Sequence, residues 1–271
     1  MLQTRVRTGF ILLFAGCLFL GFSHIPAVLL LGLAGLGALA MAELAEPING
    51  RYRLALAVVG TAAVLLTCAL PQFWMTGLLG LLFPAYLLLG WGMMTALPGK
   101  KAFHIWEKLL LFAAVPAFLG VACRLRQREM GLYTLILPIL VCAATDTFAY
   151  FVGRRFGKQP LAPNISPKKT VEGAVGGTLL AGVLVVVLAV LLQNLGLLRV
   201  RVDLLALYTL TASIIGQAGD LIMSAVKRVA GIKDFGEILP GHGGVLDRLD
   251  SCLLALPYTF LFIGCFGPIF S

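Results

Sequence analysis

The sequence predicts an all-α, polytopic integral membrane protein with about nine transmembrane helices. Three observations lead there. The 271 residues are 60% hydrophobic and only 12% charged, with a mean hydropathy of +0.98. Apolar runs of about 20 residues, the length that crosses a bilayer's hydrocarbon, recur along the chain. Lys and Arg gather in alternate loops, as topology requires. A chain this apolar forms one membrane domain, 1–271, with no room for a sizeable soluble one. Its 31 Gly and 13 Pro suit membrane helices, where Gly permits close approach and neighbours re-satisfy freed backbone groups.

The spans run roughly 9–22, 26–45, 54–70, 73–97, 109–123, 131–152, 174–194, 203–226 and 251–270. Arg5 and Arg7 precede the first apolar run, as in a signal peptide. FSHIPAV offers no small-x-small cleavage site and a second run follows at once, so this is an uncleaved helix. Short turns at SHIP and PQ close the first two hairpins. Glu43 and Glu46, near the inner end of the second span, could line the site, though a solvated helix end is the favoured reading. The fifth span is short for a bilayer, and the charge pattern supports it. Without it, the later basic loops would fall on opposite faces. Residues 1–130 carry little motif content, and 131–271 hold the residues suited to chemistry.

With nine spans and a cytoplasmic N-terminus, only Arg124, Arg126, Arg128, Arg199 and Arg201 of the 21 Lys and Arg lie on the outer face. The net charge of +9 follows from the inner loops and favours anionic lipid head groups. With no soluble basic domain, nucleic-acid binding is excluded. The six cysteines (17, 68, 123, 142, 252 and 265) form no CxxC pair and no Cys/His cluster. A zinc site or disulfide framework is therefore not expected, and they read as small helix-packing residues. His24 and His104 have no partners in sequence.

Charge is concentrated between Ser224 and Asp250. Lys227, Arg228, Lys233, Asp234, Glu237, His242, Asp247, Arg248 and Asp250 fall within 27 residues. Asp146 and Asp220 each lie about two turns from the cytoplasmic end of an apolar span, and Asp247 and Asp250 open the last span. A carboxylate at such depth costs several kcal/mol unless paired or metal-bound, so it marks a candidate site. All four converge on the face assigned independently from Lys and Arg. On the eighth span Asp220, Ser224 and Lys227 are spaced i, i+4, i+7; on the ninth Asp247 and Asp250 are i, i+3. Two helices thus present carboxylates to one region, which suits Mg²⁺ completing its shell with substrate phosphates.

The loop GRRFGKQPLAPNISPKKTVEGAVGG adds Ser166, Lys168, Lys169 and Thr170 just before a helix start, where an anion is favoured. No Walker or Rossmann pattern occurs. In PGHGGVLDRLD, Gly243 and its neighbouring glycines let backbone approach a ligand. His242 is open to three roles: phosphate donor, base or loop residue.

The segment SAVKRVAGIKDFGEILPGHGGVLDRLD resembles the signature of the phosphatidate cytidylyltransferase (CDP-diacylglycerol synthase) family. The matching positions include Lys227-Arg228, Lys233-Asp234, His242-Gly243-Gly244, Asp247-Arg248 and Asp250. TDTFAYFVGRRFGK (145–158) and SPKKTVEGAVGG (166–177) are similar to the family too, so the resemblance covers the chain from about Leu137 onward. It implies a bacterial inner-membrane enzyme joining CTP to phosphatidic acid, with CDP-diacylglycerol and pyrophosphate as products. It implies Mg²⁺ on Asp220 and Asp247, a second cation such as K⁺, and a homodimer.

The expected site then comprises Asp220, Lys227, Arg228, Asp247 and Asp250 as catalytic residues. Asp146, Ser166, Lys168, Lys169, Thr170, Ser224, Lys233, His242, Gly243 and Arg248 are expected to bind substrate. Two alternatives use similar groups: a CTP-dependent polyprenol or other lipid kinase, and a non-enzymatic transporter of anionic lipid. A CDP-alcohol phosphotransferase is excluded by the absence of its D-G-x2-A-R pattern.

Overall fold

The computed structural model describes residues 2–49, 52–96, 105–236, 238 and 243–270. Among them the chain forms nine α-helices: α1 (Leu2–Phe22), α2 (Pro26–Asn49), α3 (Arg53–Ala69), α4 (Gln72–Ala96), α5 (Ile105–Arg126), α6 (Gly131–Phe156), α7 (Val171–Asn194), α8 (Val202–Val229) and α9 (Leu246–Phe266). Seven are long and apolar enough to cross a membrane; the apolar stretches of α1 and α3, Arg7–Phe22 and Arg53–Ala69, are shorter. The helical, multi-pass class stands; among the described residues seven helices have full spanning length and two apolar helices are shorter.

The fifth span is the largest difference. Its apolar run of 109–123 extends into a helix of 22 residues, and every residue from Ala114 to Cys123 is buried. A helix buried all round needs no lipid face, so apolar length understates it. α5 packs against α2, α3, α4, α6 and α9. One core cluster, including Met41, Leu79, Tyr86, Phe118, Met223 and Leu254, joins these helices. A second, including Leu205, Tyr208 and Phe262, gathers α6 to α9 around the other end of α8.

The loop between α6 and α7 contains a small antiparallel hairpin. β1 (Pro160–Ala162) and β2 (Ser166–Thr170) pair Pro160 with Thr170 and Ala162 with Ser166. Pro163 and Asn164 form its turn, closed by the Ile165 amide donating to Ala162 O at 3.1 Å. Pro160 stands at a strand's first position, where its missing N–H is tolerated. Thr170 then caps α7, its hydroxyl accepting from Gly173 N at 3.1 Å, while the Glu172 carboxylate accepts from the amides of Lys158 and Gln159. The hairpin is thereby tied to both α6 and α7.

α6 and α7 approach through glycines. A Cβ on Gly173 would lie 2.7 Å from Ala149 O, and one on Gly177 would lie 2.8 Å from both Thr145 O and Ala149 Cβ. Gly177→Ala is therefore expected to destabilise the protein by about 1–3 kcal/mol through overpacking. Thermal unfolding in detergent measures this, with Gly35→Ala as control, since nothing lies within 4 Å of a Cβ there.

Candidate active site

Three carboxylates from three helices, Asp146, Asp220 and Asp250, gather near the hairpin lysine Lys169. Asp220 of α8 forms an ion pair with Lys169 of β2 and accepts from Ser224 Oγ, one turn along, at 3.3 Å. Asp146 of α6 accepts from Ser251 Oγ at 3.3 Å. Asp250 of α9 accepts from the Ser251 amide at 2.8 Å. Asp146, Asp220 and Asp250 lie within electrostatic reach of one another, and Arg248 within reach of Asp146. The helices can come this close because Gly216 and Gly219 of α8 sit against Asp250 and Ser251: a Cβ on Gly219 would lie 2.9 Å from Asp250 O.

Asp247 is held differently. Lys227 Nζ donates to its Oδ1 at 2.8 Å, and the amides of Phe235 and Gly244 donate to its Oδ2 at 2.8 and 3.0 Å. Lys227 stands 4.0 Å from Asp250 Oδ2, and its ammonium lies 5.5 Å from the centre of the Phe235 ring. Lys227 and Asp247 are 8% and 7% exposed, so this pair is enclosed by protein. Charge-assisted bonds of this kind fix geometry as well as charge. Gly243 has a positive φ of 79°, and a Cβ there would lie 3.1 Å from Asp247 Oδ2, so glycine suits this turn on two counts.

The expected α8 face is therefore divided. Asp220 turns to the hairpin lysine, whereas Lys227 turns to α9. Arg228 acts as a strut, donating to Ile165 O at 3.0 Å and Ile232 O at 3.1 Å. Thr170 is engaged in capping α7. Ser166 is partly buried at the start of β2, whereas Lys168 and Lys233 are exposed; neither lysine is drawn into the carboxylate cluster by a described contact. His242 and His104 lie outside the described residues. His24 makes a local contact with Gly21 O.

Sequence reasoning missed two groups. Ser251 follows Asp250 and bridges α9 to Asp146, a role no spacing rule announces. Glu43 was favoured as a solvated helix end over a residue lining the site, yet it is fully buried. It accepts from the amides of Val245 and Leu246 at 2.9 and 2.8 Å. Its sequence distance from those amides hid the contact.

Carboxylates outnumber the lysines paired to them here. An anionic substrate would be repelled unless a cation joined it, which is the setting Mg²⁺ fills using one or two carboxylates plus phosphate oxygens. Among the described residues, no group of three His, Cys, Asp or Glu forms a complete protein cage for a metal.

The profile of the cytidylyltransferase family matches residues 3–266. A phosphatidate cytidylyltransferase of Bacillus subtilis is 45% identical over 139 residues, covering 51% of this chain and 50% of that protein. One from Staphylococcus haemolyticus is 35% identical over 228 residues, covering 81% of this chain and 84% of its own. One from Staphylococcus aureus is 40% identical over 160 residues, covering 58% and 60%. The first and third alignments thus span about half to three-fifths of the relative, and the second most of it.

Proposed function

The chain belongs to the cytidylyltransferase family, and from that membership we propose that it joins CTP to phosphatidic acid, yielding CDP-diacylglycerol and pyrophosphate. The observation that carries the reading at the level of chemistry is the meeting of Asp146, Asp220 and Asp250 beside Lys169 and Lys227 at one end of the bundle. It is a multi-pass membrane enzyme. The proposal extends to a bacterial inner membrane, a cytoplasmic N-terminus, a site on the cytoplasmic face and a homodimer.

A phosphate oxygen of phosphatidic acid attacks the α-phosphorus of CTP. The new P–O bond forms as the bond to the β-phosphate oxygen breaks, and pyrophosphate carries away the electron pair. The lipid phosphate is already an anionic nucleophile, so no Ser or Cys attack is required. Catalysis is then mainly positioning and electrostatic. Lys169 offers charge to the phosphates and is oriented by Asp220 in the resting site; Lys227, held by Asp247 at 2.8 Å, lends its charge from behind Asp250, 4.0 Å away.

The donor set fits Mg²⁺, which when bound would neutralise charge developing on the leaving pyrophosphate. Asp220 is one candidate ligand. Asp247, the other carboxylate first expected to bind it, already accepts from Lys227 and two amides, so Asp250 or Asp146 fits better beside Asp220. No described contact distinguishes a place for K⁺.

The test uses purified protein in detergent. Pyrophosphate should be released only when CTP, phosphatidic acid and Mg²⁺ are all present, and excess EDTA should stop it. Release that continues without lipid, or that ignores EDTA, contradicts the reading.

A further inference from the structure

We infer that Glu43, in the helical half with little motif content, is a positioning residue for the site: it fixes the start of α9 so that Asp247 and Asp250 face α8. The inference rests on the reading of this site as the cytidylyltransferase centre.

The first-turn amides of a helix have no intrahelical acceptor, and a polar N-cap side chain ordinarily takes one of them. Val245 occupies the N-cap of α9 and has no such side chain. Glu43 supplies the missing acceptor from α2, with one carboxylate oxygen on the Val245 amide and the other on that of Leu246. Burying a carboxylate is costly, and charge-assisted bonds to two amides offset part of that cost. The positive end of α9 adds to it.

Two glycines close on the same carboxylate. A Cβ on Gly236 would lie 3.0 Å from Oε1, and Gly244 lies against Oε2 with still less room. The amides of Gly244 and of Phe235, the residue before Gly236, are also the two that hold Asp247 Oδ2. The amides of Phe235, Gly244, Val245 and Leu246 are thus shared between two carboxylates, Asp247 and Glu43. Displacing Glu43 should displace the Asp247–Lys227 pair with it. Asp247 and Arg53 both lie within electrostatic reach of Glu43.

Glu43→Gln keeps the shape and one acceptor but turns an NH₂ group toward an amide N–H. Its kcat for pyrophosphate release is expected to fall about tenfold to a hundredfold, the usual cost of losing a supporting contact to a reactive site. The KM for CTP should change by less than about threefold, because an interaction lost mainly from the transition state lowers kcat. Gly236→Ala is the gentler second variant, pressing on Oε1 without removing the charge; kcat should fall several-fold at an unchanged thermal midpoint. Hydrogen exchange should speed up in 243–250 in both variants and stay unchanged in α7.

Three results would overturn the inference while the wild type is active. These are kcat within twofold of wild type in both variants, a loss in Glu43→Gln that only follows the folded fraction with Gly236→Ala unaffected, or faster exchange at 243–250 without loss of rate. A wild type that releases no pyrophosphate would instead defeat the functional reading beneath it.

Discussion

Asp220→Asn is expected to lower turnover on the order of a thousandfold or more, the scale of losing a principal charge-stabilising group, while the protein remains folded. Asp220 has 17% of its side chain exposed, and its partner Lys169 has 31%. The freed lysine can therefore turn to water, and stability changes little. The loss should be confined to the chemistry because Asp220 stands in the cluster where CTP phosphates and a cation would meet. Pyrophosphate release and thermal unfolding, measured on one preparation, check both halves. Activity within a few-fold of wild type would remove Asp220 from the centre of the site.

Asp247→Asn should abolish turnover too, with a second consequence. Its partner Lys227 has only 10% of its side chain exposed, and breaking a buried pair by removing one charge costs about 3 kcal/mol or more. The single variant should therefore lose both activity and stability. Lys227→Met combined with Asp247→Asn removes both charges, and the asparagine carbonyl can still accept from the Phe235 and Gly244 amides. The double variant is expected to regain most of the stability and none of the activity. Recovery of activity would show that the pair serves the fold alone.

The class of the protein was legible because hydropathy and the placement of Lys and Arg act over whole spans. The carboxylates were legible because a charge at membrane depth is costly enough to need a reason, and Asp146, Asp220 and Asp250 do come together. The division of labour among them was not legible. Helical spacing places Asp247 and Asp250 on one face, but which oxygens are already engaged depends on the amides of Phe235 and Gly244. Arg228 illustrates the same limit: its charge suggested a phosphate clamp, and its geometry ties the hairpin to the loop after α8. The hairpin lacks strong strand propensity and is held by its ties to α6 and α7. Glu43 was misread because a carboxylate near a helix end looks solvated until another helix is laid across it. α5 was underestimated because a helix enclosed by protein need not show a full apolar run.

The fate of the CTP phosphates tests the central claim most directly. CTP labelled at the α- or the γ-phosphate would be given to the purified protein with phosphatidic acid and Mg²⁺, and the lipid and aqueous products separated. A cytidylyltransferase sends the α label into the lipid, together with cytidine, and the γ label into pyrophosphate. Appearance of the γ label in the lipid, with CDP in the aqueous phase, would contradict the proposed reaction and identify a CTP-dependent lipid kinase.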